Sequence, residues 1–80
     1  MSKLNVKIVT PENTMYSGEC DSVSVPVNDG YYGIMANHSP IVMALTKGNI
    51  KIKNDDEETV IPISGAVLCC KNNTVSVACK

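Results

Sequence analysis

The chain has no phenylalanine and no tryptophan, so any core must be built from Val, Ile, Leu, Met and Ala, with three tyrosines as its only aromatic bulk. No apolar run approaches the roughly 20 residues of a membrane-spanning helix. The opening Met1-Ser2-Lys3-Leu4 lacks the apolar centre of a signal peptide, which points to the cytoplasm. Lysine-rich blocks are missing as well, and the formal net charge is −1. Without that electrostatic footprint neither a phosphate backbone nor an anionic lipid surface is an expected partner, so nucleic acid is excluded and any membrane association would run through a complex.

The cysteines lack a pattern. Cys20, Cys69, Cys70 and Cys79 contain no C-x-x-C pair and follow no secretory signal, so reduced thiols acting as small hydrophobes are expected rather than disulfides. Adjacent Cys69 and Cys70 on a strand would point to opposite faces, whereas zinc needs ligands that converge, so no metal site is expected. His38 is the only histidine. No signature joins it to a cysteine nucleophile or to a preorganised oxyanion turn, so no catalytic residue is expected. Gly30 and Gly33 do not have the spacing of a phosphate-cradling loop and no helix follows them. They read as backbone glycines serving a hairpin and a close approach.

What is present is alternation. Leu4, Val6 and Ile8 alternate with Asn5 and Lys7, the signature of a half-buried strand. Thr10 to Asn13 breaks it. A second strand runs over 15–19, and Val23, Val25 and Val27 mark a third, which Pro26 assigns to an edge or a bulge because proline cannot donate to a ladder. Asn28-Asp29-Gly30 is hairpin chemistry. Strands are expected at 31–34, 41–45, around Ile50 and Ile52, at 59–63, 66–70 and 74–78. Met35 to Pro40 reads as a loop, Asp55-Asp56-Glu57-Glu58 as a solvated hairpin tip, and Lys71-Asn72-Asn73 as a turn. No window has helical periodicity. The expected fold is all-β, a flattened antiparallel sandwich or barrel in one domain over residues 1–80. A chain of 80 residues buries only roughly 60–65 % of its unfolded surface, so a partner that binds the folded form would add useful stability.

The stretch Gly30-Tyr31-Tyr32-Gly33-Ile34-Met35-Ala36-Asn37-His38-Ser39-Pro40 resembles the pattern G-x-x-G-I-x-P-G-H-A-P of the epsilon subunits of F-type ATP synthases, departing at Ala36, Asn37 and Ser39. Upstream, Val9-Thr10-Pro11-Glu12 and Met15-Tyr16-Ser17-Gly18 are similar to that family's opening strand pair. Downstream, Ala44-Leu45, Gly48 with Ile50-Lys51-Ile52, and Ile63-Ser64-Gly65 with Val67-Leu68 follow in register.

The resemblance implies a β-sandwich of about ten short strands, the family's N-terminal domain, which is non-catalytic and takes no cofactor. It further implies a place in the central stalk, with the gamma subunit and the membrane c ring as partners at the cytoplasmic face of the cell membrane. Carried over position by position, Thr10, His38 and Met43 would face gamma, while Asp29, Gly30, Tyr31 and Tyr32 would meet the c ring. Tyr31 stands where some members have an acidic residue, and offers an apolar ring with a hydroxyl instead. The family's helical C-terminal pair has no counterpart in these 80 residues, so no ATP site is expected. A rival reading is a generic cytoplasmic sandwich that binds another protein through an edge strand. The apolar segments 34–35 and 41–43 are either core or docking patch.

Overall fold

A computed structural model describes residues 3–80; Met1 and Ser2, on which the expectations for the start of the chain and for a domain over 1–80 partly fall, lie outside the described residues. Among the described residues nine strands follow one another: β1 Leu4–Val9, β2 Thr14–Cys20, β3 Ser22–Val27, β4 Gly30–Met35, β5 Ile41–Leu45, β6 Gly48–Asn54, β7 Glu57–Ile63, β8 Ala66–Lys71 and β9 Thr74–Cys79. They form a five-stranded sheet in the order β2-β1-β9-β8-β5 and a four-stranded sheet in the order β4-β3-β6-β7. The two inner faces supply one apolar cluster that joins Leu4, Val6 and Ile8 to Val23, Val25, Ile34, Ile50, Ile52, Leu68, Val75 and Val77. Period two in the sequence thus becomes the in-and-out alternation of each strand, with apolar side chains supplying the burial that drives closure.

Three local features differ from the alternation reading. Neighbouring strands are not all antiparallel, because β1 and β9, the first and last strands, pair in parallel at the middle of the larger sheet. Pro26 does not mark an edge strand, since β3 lies between β4 and β6. Its pairing with β6 covers only Ser22 to Ser24, and beyond that point the Pro26 carbonyl accepts from the Thr46 amide at 3.1 Å. The proline therefore sits where the ladder on that side has already stopped, and its missing N–H costs nothing. The acidic run is only partly a hairpin tip: Asp55-Asp56 turn the chain, while Glu57 and Glu58 open β7, all four exposed.

The cysteines behave as small side chains on alternating faces. Cys69 is exposed, Cys70 and Cys20 are buried, Cys79 is partly buried, and all four are free thiols. Burial raises the thiols of Cys20, Cys70 and Cys79 above their ordinary value.

Candidate docking surface

Tight turns fix the ends of the sandwich. In the β3–β4 hairpin, Val27 pairs with Gly30 across Asn28-Asp29, and the positive φ of 131° falls on Gly30, which has no Cβ to object. Gly33 serves no close approach: a Cβ there would meet open space. Asn37 takes φ 67° at the position where the pattern quoted above has glycine, and asparagine is one of the few residues that tolerate it. Asn72 and Asn73 both take positive φ, 51° and 58°, the geometry of a type I′ hairpin between β8 and β9. The loop after β4 is tied to this hairpin, since the Asn37 amide donates to the Asn73 side-chain oxygen at 2.5 Å.

Thr10 is occupied locally: its hydroxyl accepts from the Glu12 and Asn13 amides at 3.3 and 3.0 Å and so closes the β1–β2 turn. His38 packs edge-on against Tyr32, with ring centroids 5.7 Å apart. The Tyr32 hydroxyl lies 2.8 Å from His38 Nε2 and the Ser39 carbonyl 2.7 Å from Nδ1. A carbonyl only accepts, so Nδ1 carries a proton, and in the neutral ring Nε2 accepts from the tyrosine. Met43 pairs with Leu68, whose side chain is fully buried, and is itself half-buried against the core.

The structure thus brings Tyr32 and His38 together, although the resemblance assigns them to different partners, and it separates Thr10 from His38. Thr10 follows Val9, which registers with Ala78 on β9, whereas the His38 loop is tied to Asn73 at the other end of that strand. Five residues of β-strand put roughly 17 Å between those ends. Asp29, Gly30 and Tyr31 are exposed at the β3–β4 hairpin, and Tyr31 carries the Lys51 ammonium 5.0 Å from its ring centre, a cation–π contact.

Between Thr10 and the His38 loop stretches the outer face of the five-stranded sheet, and there the alternation reading missed something. Strand pairing aligns Val9, Ala78, Val67 and Ala44 in one row, and Lys7, Ser76, Cys69 and Val42 in the next. Val42 and Val67 are exposed by 70% and 52%. A shallow hollow of about 360 Å³ is lined by Lys7, Val9, Val67, Cys69, Ser76 and Ala78. Contiguous apolar surface of this kind, rimmed by polar groups, marks an interaction site. The signal was present in the sequence, since Ala66-Val67-Leu68-Cys69-Cys70 and Ile41-Val42-Met43-Ala44-Leu45 do not alternate and so are apolar on both faces. Of the ambiguous apolar segments, Ile34 is core, whereas Met35 and Val42 point to solvent.

A family model described as the β-sandwich domain of the ATP synthase delta/epsilon chain matches residues 3–80. Among curated relatives, the ATP synthase epsilon chain of Leptospira borgpetersenii is 40% identical over 94% of this chain, and that of Maridesulfovibrio salexigens 41% identical over 95%. The chain spans only 59% and 54% of the length of those two relatives. Its fold also superposes on a chain of the Euglena gracilis mitochondrial ATP synthase OSCP/F1/c-ring assembly, with a TM-score of 0.89 at 15% identity over 96% of this chain and 50% of that one. A chain of the Tetrahymena thermophila central stalk and c ring gives 0.78 at 17% identity over 98% of this chain and 63% of its own length.

Proposed function

The chain belongs to the family of ATP synthase delta/epsilon chain β-sandwich domains, and on that premise we propose that these residues form one non-catalytic domain of a central-stalk subunit, which docks gamma to the c ring. Rotation of the ring is then passed to the stalk, so that ion translocation is coupled to ATP synthesis. The chain would sit peripherally at the cytoplasmic face of the cell membrane, held there by the complex. Its chemistry is recognition, and the reading assigns it no cofactor.

One observation supports this reading above the rest: the outer face of the five-stranded sheet, which runs between Thr10 at one end and the His38 loop at the other, carries a contiguous apolar patch of Val9, Ala78, Val67, Ala44 and Val42. A gamma surface laid along this face would reach both positions, and Met43, whose side chain turns inward beside Leu68, only where it wraps the β5 edge. Asp29, Gly30, Tyr31 and Tyr32 would form the ring contact, with the exposed Tyr31 ring and the Asp29 carboxylate offered to the polar loops of the ring. Tyr32 then does double duty, since its hydroxyl bond to His38 braces the ring-facing strand against the gamma-facing loop.

Titration of the purified chain with gamma and, separately, with c rings tests the assignment. Asp29→Lys and Tyr31→Ala are expected to weaken ring attachment while leaving gamma affinity and thermal stability nearly unchanged. Loss of gamma binding in those variants, or undiminished ring attachment, would reverse it.

A further inference from the structure

The loop that leaves β4 and enters β5 carries the chain from the four-stranded sheet to the five-stranded one, with His38 near its middle. Main-chain groups need hydrogen-bond partners, yet among the described residues no backbone–backbone bond outside the strands involves 36–40. Two side-chain ties hold the loop instead. One joins Tyr32 to His38. In the other, the Asn73 side-chain oxygen accepts from the Asn37 amide at 2.5 Å, and the Asn73 side-chain nitrogen donates to the Asn37 side-chain oxygen at 3.4 Å.

The two ties differ in what they reach. Tyr32 stands on β4, an edge strand of the four-stranded sheet. Asn73 is half-buried, and its own carbonyl accepts from the Asn5 amide at 2.8 Å, which roots the β8–β9 turn on β1 in the interior of the five-stranded sheet. Asn73 therefore fastens the loop to the sheet whose outer face carries the apolar patch. Residue type points the same way. In the type I′ turn of Asn72 and Asn73, glycine is the favoured second residue because φ is positive there. An asparagine at 73 is less suited to that backbone, and what it supplies beyond glycine is the side chain that grips Asn37. The turn can form without this side chain, and the core does not include it.

We propose that Asn73 is a positioning residue for partner binding: it holds the 36–40 loop against the five-stranded sheet, so that gamma meets a preformed surface running from the apolar patch onto the loop. This role rests on the stalk reading given above. Without the tie the loop is free to leave the sheet, and gamma would have to order it on binding, which subtracts from affinity. Asn73 touches gamma only through Asn37 and its neighbours, so affinity and fold stability respond separately to its loss.

Gamma titration, thermal melts and amide hydrogen exchange by NMR, applied to the purified chain and two variants, test the role. Asn73→Gly removes the side chain and keeps the positive φ. It should speed exchange at the Asn37 amide, leave the melting temperature near its original value, and weaken gamma binding about three- to tenfold, the range of one lost hydrogen bond. Asn73→Asp keeps an acceptor oxygen and tolerates the same backbone, so it should restore both Asn37 protection and gamma affinity. Unchanged gamma affinity in Asn73→Gly, a melting temperature that falls in step with affinity, or no recovery in Asn73→Asp would each overturn the proposal. So would an Asn37 amide that exchanges freely in the unaltered chain. An unaltered chain that protects Asn37 and still binds no gamma would instead sink the stalk reading, and the positioning role with it.

Discussion

The two outer faces of the sandwich share one architecture and differ in what they present. On the four-stranded sheet exposed apolar residues are interrupted by charge, with Tyr31 beneath Lys51, Val60 beside Lys51, and Lys53 across from Glu58. On the five-stranded sheet Val9, Val42, Ala44, Val67 and Ala78 adjoin across four strands, with Lys7 as the one charge at the hollow. The inner faces are alike in kind, so folding requires the same of both sheets. The difference lies outside the core, where a side chain contributes little to stability and is free to serve recognition.

Adjacent residues on β8 give the strongest test of that division. Leu68 is fully buried and Val67 beside it is half exposed. Leu68→Ala should cost about 2–5 kcal/mol of stability by chemical denaturation, enough to unfold a marginal chain. Val67→Asp should leave the denaturation midpoint close to its original value and lower gamma affinity by on the order of a hundredfold, by burying a charge in an apolar contact. Equal loss of stability in the two variants would break the distinction between core and docking face.

A smaller effect separates the two faces themselves. Val60→Asp, on the four-stranded sheet, changes side-chain chemistry at similar exposure, yet gamma affinity should stay within about twofold of the original. If Val60→Asp and Val67→Asp weakened gamma equally, neither outer face would be privileged.

The smallest effect concerns neither face but the corner that ties the two sheets. Lys3 Nζ lies 3.0 Å from Asp21 and 3.2 Å from Asp55, and the Asp55 amide donates to Asp21 at 2.7 Å. That amide and then the Lys3 ammonium hold the Asp21 carboxyl below its usual range, while the Asp21 hydrogen bond leads in raising Lys3. A depressed carboxyl stabilises the fold above its unfolded pKa and loses that contribution as pH falls through the folded value. A raised lysine contributes at neutral pH and loses it as pH climbs through its own folded value. Asp21→Asn should therefore lower Tm slightly at neutral pH, with the difference from the unaltered chain closing in acid below the ordinary carboxylate range. The pair is partly exposed, so the shift is small and shrinks with salt.

Much of the inside was legible in the sequence and much of the outside was not. Leu4, Val6, Ile8, Ile50 and Ile52 follow from alternation because burial acts on each strand separately. Asn28-Asp29-Gly30 and Asn72-Asn73 follow because turn chemistry is local. The parallel pairing of β1 with β9, and the position of Pro26 beyond the last β6 partner, depend on contacts between residues remote in sequence. The candidate docking face is only partly legible: the unbroken apolar runs 41–45 and 66–70 signal it, but its extent does not follow from them. Val9, Ala78, Val67 and Ala44 become neighbours only once four strands from both ends of the chain are in register. Thr10, His38 and Met43 came from resemblance, and the structure relates the first two as opposite borders of a surface whose middle the motif did not mark.

Cys69 supplies a direct probe of that middle, since it is exposed in the hollow while Cys20 and Cys70 are buried. The measurement is its alkylation rate at low chain concentration, with and without saturating gamma. Protection of about tenfold or more at Cys69 is predicted, as expected of a thiol at the centre of a closed contact. An unchanged rate in a complex that has demonstrably formed would contradict the account, because gamma would then be bound elsewhere.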